Sequence, residues 1–488
     1  MANTSNISRR DFLRAAIASS ALVLPISGAA CARDPRSGST GAESRGWDRV
    51  PEILARIRPP VFPQRDFLVT EFGAVGDGER MNTDAIRRAI EACHAAGGGR
   101  VVIPEGRFLT GPIHLLSQVN LHVAEGATLA FSQNPDDFLP LVFTRWEGVE
   151  LMNYSPLIYA FEQENVAVTG AGVLDGQANS EVWWPWKGQG RRAQPGGPHQ
   201  DAARDRLFRM AAEAVPVEQR RFGPGSYLRP NFVQPYRCRN VLIEGITVRN
   251  SPMWELHPVL CENVTVRGVR IESHGPNNDG CDPESCRDVL IEDCYFDTGD
   301  DCIALKSGRN EDGRRLATPI ENVIVRNCHM KDGHGGVTIG SEISGGARHI
   351  FAENCRMDSP NLERGLRLKT NARRGGVIEE VYMRNCTVGQ VSNAVLSIDF
   401  FYEEGREGEH LPVVRAVEMR DVTSEHSTYP VFLRGFEDKP IESVRIVDCH
   451  FNGAERESVV ENVAELLLEN VTVNGVEWTS EVEQEVSA

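Results

Sequence analysis

One nine-residue pattern recurs nine times from residue 240 onward. It reads NVLIEGITV at 240, NVTVRGVRI at 263, DVLIEDCYF at 288, NVIVRNCHM at 322 and HIFAENCRM at 349. It continues as EVYMRNCTV at 380, AVEMRDVTS at 416, SVRIVDCHF at 443 and ELLLENVTV at 465. An earlier copy, NVAVTGAGV, starts at Asn165, and the nine later starts lie 22 to 36 residues apart. Each copy alternates apolar and polar residues, the period of a strand with one buried face. The sixth position is Gly, Asp or Asn throughout, from Gly245 to Asn470. These types tolerate positive φ, so each strand is expected to bend there onto a second short strand. The seventh position holds only Ile, Val or Cys, and a second such column, including Cys238, Cys261 and Cys286, lies two residues before the copies. In these columns cysteine acts as a small buried hydrophobe.

No such coil can bury its face alone, so the stack folds as one unit. The expected fold is all-β, a single-stranded right-handed parallel β-helix over residues 64–480, with rungs about 4.8 Å apart. A β-propeller would need repeats of roughly 40–50 residues, which these are not. An N-terminal capping helix is expected after Asn82-Thr83-Asp84, with Ile86, Ala89, Ile90 and Cys93 on one face and Gly97-Gly98-Gly99 as its stop. It would cover the open strand edges of the first coil. Residues 178–230 interrupt the repeat with Trp183-Trp184-Pro185-Trp186 and several Gly and Pro, an insertion of loops and a short helix beside the groove.

The first 31 residues read as a targeting segment. Arg9-Arg10 before a mild apolar stretch resembles a Tat export signal, which implies a periplasmic or secreted protein. Cys31 stands either in a small-residue cleavage site or as a lipidated first residue, and residues 32–63 read as a linker. No later apolar run is long enough to span a membrane. The net charge of −17 argues against nucleic acid as a partner. An anionic polymer would need a local cationic patch. A monomer is expected.

Register turns sequence offset into position. Asp300 lies 12 residues into its copy and His334 lies 12 into the next, which puts them about one rung apart. Asp279, 21 residues before Asp300, falls on the neighbouring rung, with Asp282 just beyond it. Arg367 and Lys369 extend the same stripe. Singly, each has a plain explanation: Asn277-Asn278-Asp279-Gly280 and Gly299-Asp300-Asp301 as turns, His334 as a loop residue, the two cations as a solvated strand face. Their alignment on one stripe favours acid/base work on a glycosidic bond, one acid protonated and another ionised. A calcium cage of Asp side chains is the competing reading.

These residues resemble the polygalacturonases, the pectin hydrolases of glycoside hydrolase family 28. The resemblance rests on Asn277-Asn278-Asp279, Gly299-Asp300-Asp301, Gly333-His334-Gly335 and Arg367-Leu368-Lys369 in that order, and covers roughly residues 64–475. Asn278 replaces the usual Thr and Leu368 the usual Ile. Asn82-Thr83-Asp84 spells the first motif too, but at a helix start, and is read as a cap. The resemblance implies that Asp300 is the general acid, that Asp279 and Asp301 hold and activate water, and that His334 tunes Asp300. It implies that Arg367 and Lys369 bind a galacturonate carboxylate, with Asn277 and Asp282 as further substrate contacts. It implies an inverting hydrolase of α-1,4-galacturonosyl bonds in pectic chains, with no cofactor and no metal. Asp279-Gly280-Cys281-Asp282-Pro283 is similar to exo-acting members. A rhamnogalacturonan or xylogalacturonan hydrolase, a calcium-dependent pectate lyase and a non-catalytic binding β-helix remain as alternatives.

Overall fold

The computed structural model describes residues 46–188 and 196–479. The twin-arginine segment and Cys31 lie outside the described residues. From residue 66 the chain winds into coils joined by parallel pairing. Val241, Val264, Val289, Val323, Ile350, Val381, Val417, Val444 and Leu466 stack directly on one another, the second position of every copy in register. The expected right-handed parallel β-helix is therefore the fold. One long sheet carries both strands of each repeat. A second face of the coil is a six-stranded sheet running from Ile303–Leu305 through Val337–Gly340, Arg364–Lys369, Ala394–Asp399 and Tyr429–Arg434 to Val459–Glu461.

All nine sixth-position residues bend as expected, with φ between 50° and 77°. A second bend, in seven of the nine copies, was not anticipated. Asn240, Asn263, Asp288, Asn322, His349, Glu380 and Ala416, at the first position, also have φ between 51° and 60°. Left-handed backbone costs a non-glycine residue roughly 1–2 kcal/mol. Side-chain hydrogen bonds up the stack offset part of this: Asn263 Nδ2 donates to Asn240 Oδ1 at 2.7 Å, and Asn322 Nδ2 to Asp288 Oδ1 at 3.0 Å. The eleven described cysteines are free and buried, all but Cys93 of the capping helix within the coils.

The capping helix α2, Thr83–Ala95, buries Ala85, Ile86, Ala89, Ile90 and Cys93 against the first coil. Asn82 does not cap it. Its amide accepts from the Val75 N–H at 2.7 Å and donates to the Arg80 carbonyl at 2.7 Å, tying down the preceding loop from a buried position. The expected linker also differs from what folds. Arg49–Arg56 forms a helix, α1, and Trp47, Val50, Ile53 and Ile57 pack on Leu290, Ile324 and Phe351. Those three face outward from the long sheet, where alternation would place polar residues. The apolar stripe they form needs a cover, and α1 supplies it.

The insertion holds a short 3-10 helix, Trp184–Lys187, and helix α3, Asp201–Ala212. With the antiparallel hairpin Val142–Trp146 and Val149–Asn153 it builds a second small core around Trp146, Leu151, Leu207, Phe222 and Trp254. This core fixes a wall beside one end of the cleft. If α1 is part of the fold, Ile53→Ala, at a side chain 1% exposed, lowers unfolding stability by about 2–4 kcal/mol. Denaturant titration reads this, and a linker would show no change.

Candidate active site

Three consecutive connections between the long sheet and the second face carry the acids and the histidine. They are residues 274–280, 299–302 and 333–336. Glycines let them stack closely. A Cβ on Gly299 would come within 2.4 Å of the Gly275 carbonyl, and one on Gly333 within 2.7 Å of the Asp300 carbonyl. Gly299 is thus required for close approach of neighbouring coils. Asp279, Asp300 and Asp301 converge here, one carboxylate oxygen of each within 4.8 Å of the others. Asp301 is fully buried and Asp279 nearly so, while Asp300 keeps 18% of its side chain exposed to the cleft.

His334 sits where the register placed it, its Nδ1 2.9 Å from Asp300 Oδ1. On the next strand Thr338 pairs with Arg367 and Gly340 with Lys369, so both cations point out of the same face. They close on Asp301. Lys369 Nζ lies 2.6 Å from Asp301 Oδ2, Arg367 Nη1 lies 3.2 Å from Oδ1, and Thr338 donates its hydroxyl to Oδ1 at 3.0 Å. Lys369 also lines the cleft. Asn277, with φ 55°, lines it too, its Oδ1 held by Arg229 Nη2 at 2.8 Å. Asn278, the departure from the family motif, is wholly buried. It accepts from the Ser273 hydroxyl and the Gly275 N–H and donates to the Ser251 and Met253 carbonyls. It pins the loop and does not face substrate.

Asp282 does not reach the cleft. It is fully buried, with Lys306 Nζ 3.6 Å from its Oδ2. Three residues past Asp279, it has followed the chain into the second face of the coil. Its expected contact with substrate is replaced by a place behind the acids.

Electrostatics separates the carboxyls. Burial pushes Asp279 well above the usual carboxylate range, and the charge of Asp300 adds to this. Burial acts the same way on Asp300, but the hydrogen bond from His334, its charge, Lys369 and Lys306 outweigh it and hold the carboxyl low. At Asp301 burial is outweighed by Lys369 and Arg367. The hydrogen bond to Asp300 and its charge raise His334 to about 9. These groups interact strongly enough to titrate as one set. In the free protein one proton therefore sits between His334 and Asp300, on the imidazole side, and Asp279 is the acid pushed toward its neutral form. Asp301 is a fixed anion.

The sequence reasoning missed Lys306, Glu342, Arg309, Trp254 and Tyr402, all of which line the same cavity of about 440 Å³. Lys306 stands six residues after Asp300, and a charged residue closing the apolar run Cys302-Ile303-Ala304-Leu305 was the available signal. Glu147, Lys187 and Arg204, from the hairpin and the insertion, complete the cavity at the wall.

The comparisons agree with this geometry. The glycosyl hydrolases family 28 profile matches residues 225–473. A crystal structure of a hyperthermoactive exopolygalacturonase from Thermotoga maritima superposes with a TM-score of 0.86 at 47% identity, covering 89% of this chain and 97% of that one. A probable polygalacturonase of Vitis vinifera is 29% identical over 428 residues, 83% of this chain and 78% of its own length. An exo-poly-alpha-D-galacturonosidase of Dickeya chrysanthemi is 26% identical over 356 residues, 69% of this chain and 57% of its own. With the acid triad, its histidine and its cation pair in one cleft on this coil, the chain belongs to glycosyl hydrolases family 28.

Proposed function

We propose that this protein is an exo-acting polygalacturonase that removes galacturonate from the end of pectic chains by a single displacement with inversion. The observation that carries the reading is the division of labour among Asp300, Asp301 and Asp279. Asp300 is the most exposed of the three and shares a proton with His334. As the glycosidic bond lengthens, that proton moves from His334 through Asp300 to the leaving oxygen, and the neutral imidazole recovers a proton from solvent before the next turnover. Asp301, held ionised by Lys369 and Arg367, draws the attacking water together with Asp279 and takes its proton. The C1–O bond breaks as the bond from water forms on the opposite face of the sugar. Asp301 itself is fixed by three donors and does not serve as the nucleophile. The cations already inserted among the acids, Lys306, Arg367 and Lys369, suit proton transfer and an anionic sugar better than a calcium cage, which needs uncompensated oxygens.

Exo action rests on the wall. Glu147, Lys187 and Arg204, from the hairpin and the insertion, line the cavity that holds Asp279 and Asp300, and two relatives described above carry exo-acting names. On polygalacturonate the expected product from the first minutes is galacturonate monomer, with slow loss of viscosity. Early oligomers of mixed length would reject exo action. Release from rhamnogalacturonan alone, or an unsaturated product abolished by a chelator, would reject the substrate class or the reaction.

General acid/base groups contribute roughly 10²–10⁴-fold. Asp300→Asn is expected to lose activity on that scale, and full activity in this variant would sink the assignment. His334 has a raised value, so its charged, paired form is complete at low pH and is lost as pH rises through about 9. The alkaline limb of kcat/KM is expected there, and His334→Gln removes that limb together with most of kcat. An unchanged limb in His334→Gln would show that another group sets it.

A further inference from the structure

Behind the acid triad lies a buried lysine that no motif of the sequence reading included. Lys306 follows strand Ile303–Leu305 and is only 2% exposed. Its Nζ lies 3.3 Å from Glu342 Oε2, 3.6 Å from Asp282 Oδ2 and 3.7 Å from Asp279 Oδ2. The face of Trp254 is 4.4 Å away. One ammonium thus meets carboxylates from the coil below and the coil above.

Only the Glu342 distance is a hydrogen bond. Both oxygens of Asp282 and Oδ1 of Asp279 are buried without a hydrogen-bond partner among the described residues. Their charge is therefore balanced mainly through space by Lys306. Glu342 has a second cation, Arg309, at 3.0 Å, and Asp301 has Lys369 and Arg367. Asp279 and Asp282 have no other cation within 4 Å among the described residues. Other charged groups acting across this layer are Asp300, Asp301 and Lys369 on the cleft side, and Arg229, Glu255 and His257 around it.

We propose that Lys306 is a positioning residue of the reaction: its charge sets how many protons Asp279 and Asp282 share, and so keeps Asp279 able to accept a hydrogen bond from the attacking water. Without it, two buried carboxylates face each other with no counter-charge and take up protons instead. A doubly protonated pair offers water only neutral carboxyls, weaker acceptors than a carboxylate, and leaves Asp301 the one anion to orient it. This inference rests on the hydrolase reading above.

The test uses Lys306→Met and Lys306→Arg in the full chain, with kcat/KM on polygalacturonate followed from acid to alkaline pH. An opposite charge at this distance shifts a carboxyl by about 1–3 pH units. Removing it raises the acids, so the acid limb of Lys306→Met moves up by about that amount, while Lys306→Arg stays near wild type. A variant with the wild-type acid limb and only a lower kcat overturns the proposal. Glu342 loses its hydrogen bond in Lys306→Met, which threatens folding. Lys306→Met/Glu342→Gln removes that acid, which would keep only Arg309 as its cation, and the limb still shifts if Asp279 and Asp282 are what Lys306 governs. Infrared titration of the protein carboxyl band reads the same protonation without substrate. A band shift in an enzyme that fails to cleave polygalacturonate would uphold Lys306 and reject the hydrolase reading. No shift in an active enzyme does the reverse.

Discussion

Backbone pairing in parallel register, coil on coil, makes neighbours in the cleft of residues far apart in the sequence. Asp279, Asp300, His334 and Lys369 are spread over 90 residues of chain, yet the first three stand at the same corner of successive coils and Lys369 reaches them from the adjoining strand of the next. A strand that slipped by one residue would turn its side chains to the opposite face. The stacked Val and Ile column and the left-handed Asn and Asp bends prevent this. Several bends are tied to the bend in a neighbouring coil, as Asn263 is to Asn240 and Asn322 is to Asp288. The hydrolytic site is therefore a by-product of register, and its precision comes from the core beneath it.

Charge is the second constraint. A chain with a net charge of −17 presents to an anionic polymer a cleft whose acids are answered by cations. Arg367 and Lys369 hold Asp301, His334 holds Asp300, and Lys306 stands behind Asp279 and Asp282. Removing one partner of a buried pair leaves a desolvated charge, so each cation is structural as well as functional. The same pairing spreads the carboxyl protonation apart. Asp301 stays an anion, Asp279 is pushed toward the neutral form, and Asp300 borrows its proton from an imidazole. Three identical side chains a few ångströms apart thereby differ in charge and hydrogen bonding, as the proposed displacement requires.

Much of this was legible in the sequence because the fold is periodic. The sixth-position bends, the apolar columns, the Asp300–His334 contact and the stripe of cations all follow from counting offsets. What counting missed was not periodic. The first-position bend falls on types as different as Asn, His and Ala, so no single residue class marks it. Helix α1 lies in a stretch rich in Arg and Pro, and its reason is the outward Leu290, Ile324 and Phe351 stripe on distant coils. Asp282 looked like a cleft residue because it is near Asp279, but three residues carry the chain around a corner. Lys306 and Glu342 are partners only through stacking, and Asn82 fits a cap signature while its amide serves the loop before it.

The account stands on a single displacement, with Asp301 fixed as an anion and water as the nucleophile. The direct measurement is the anomeric configuration of galacturonate released in the first turnovers, followed by proton NMR before mutarotation. Cleavage of an α-linked chain is predicted to give the β-anomer first. An α-anomer as the first product would mean a covalent intermediate on one of these carboxylates and would contradict the account.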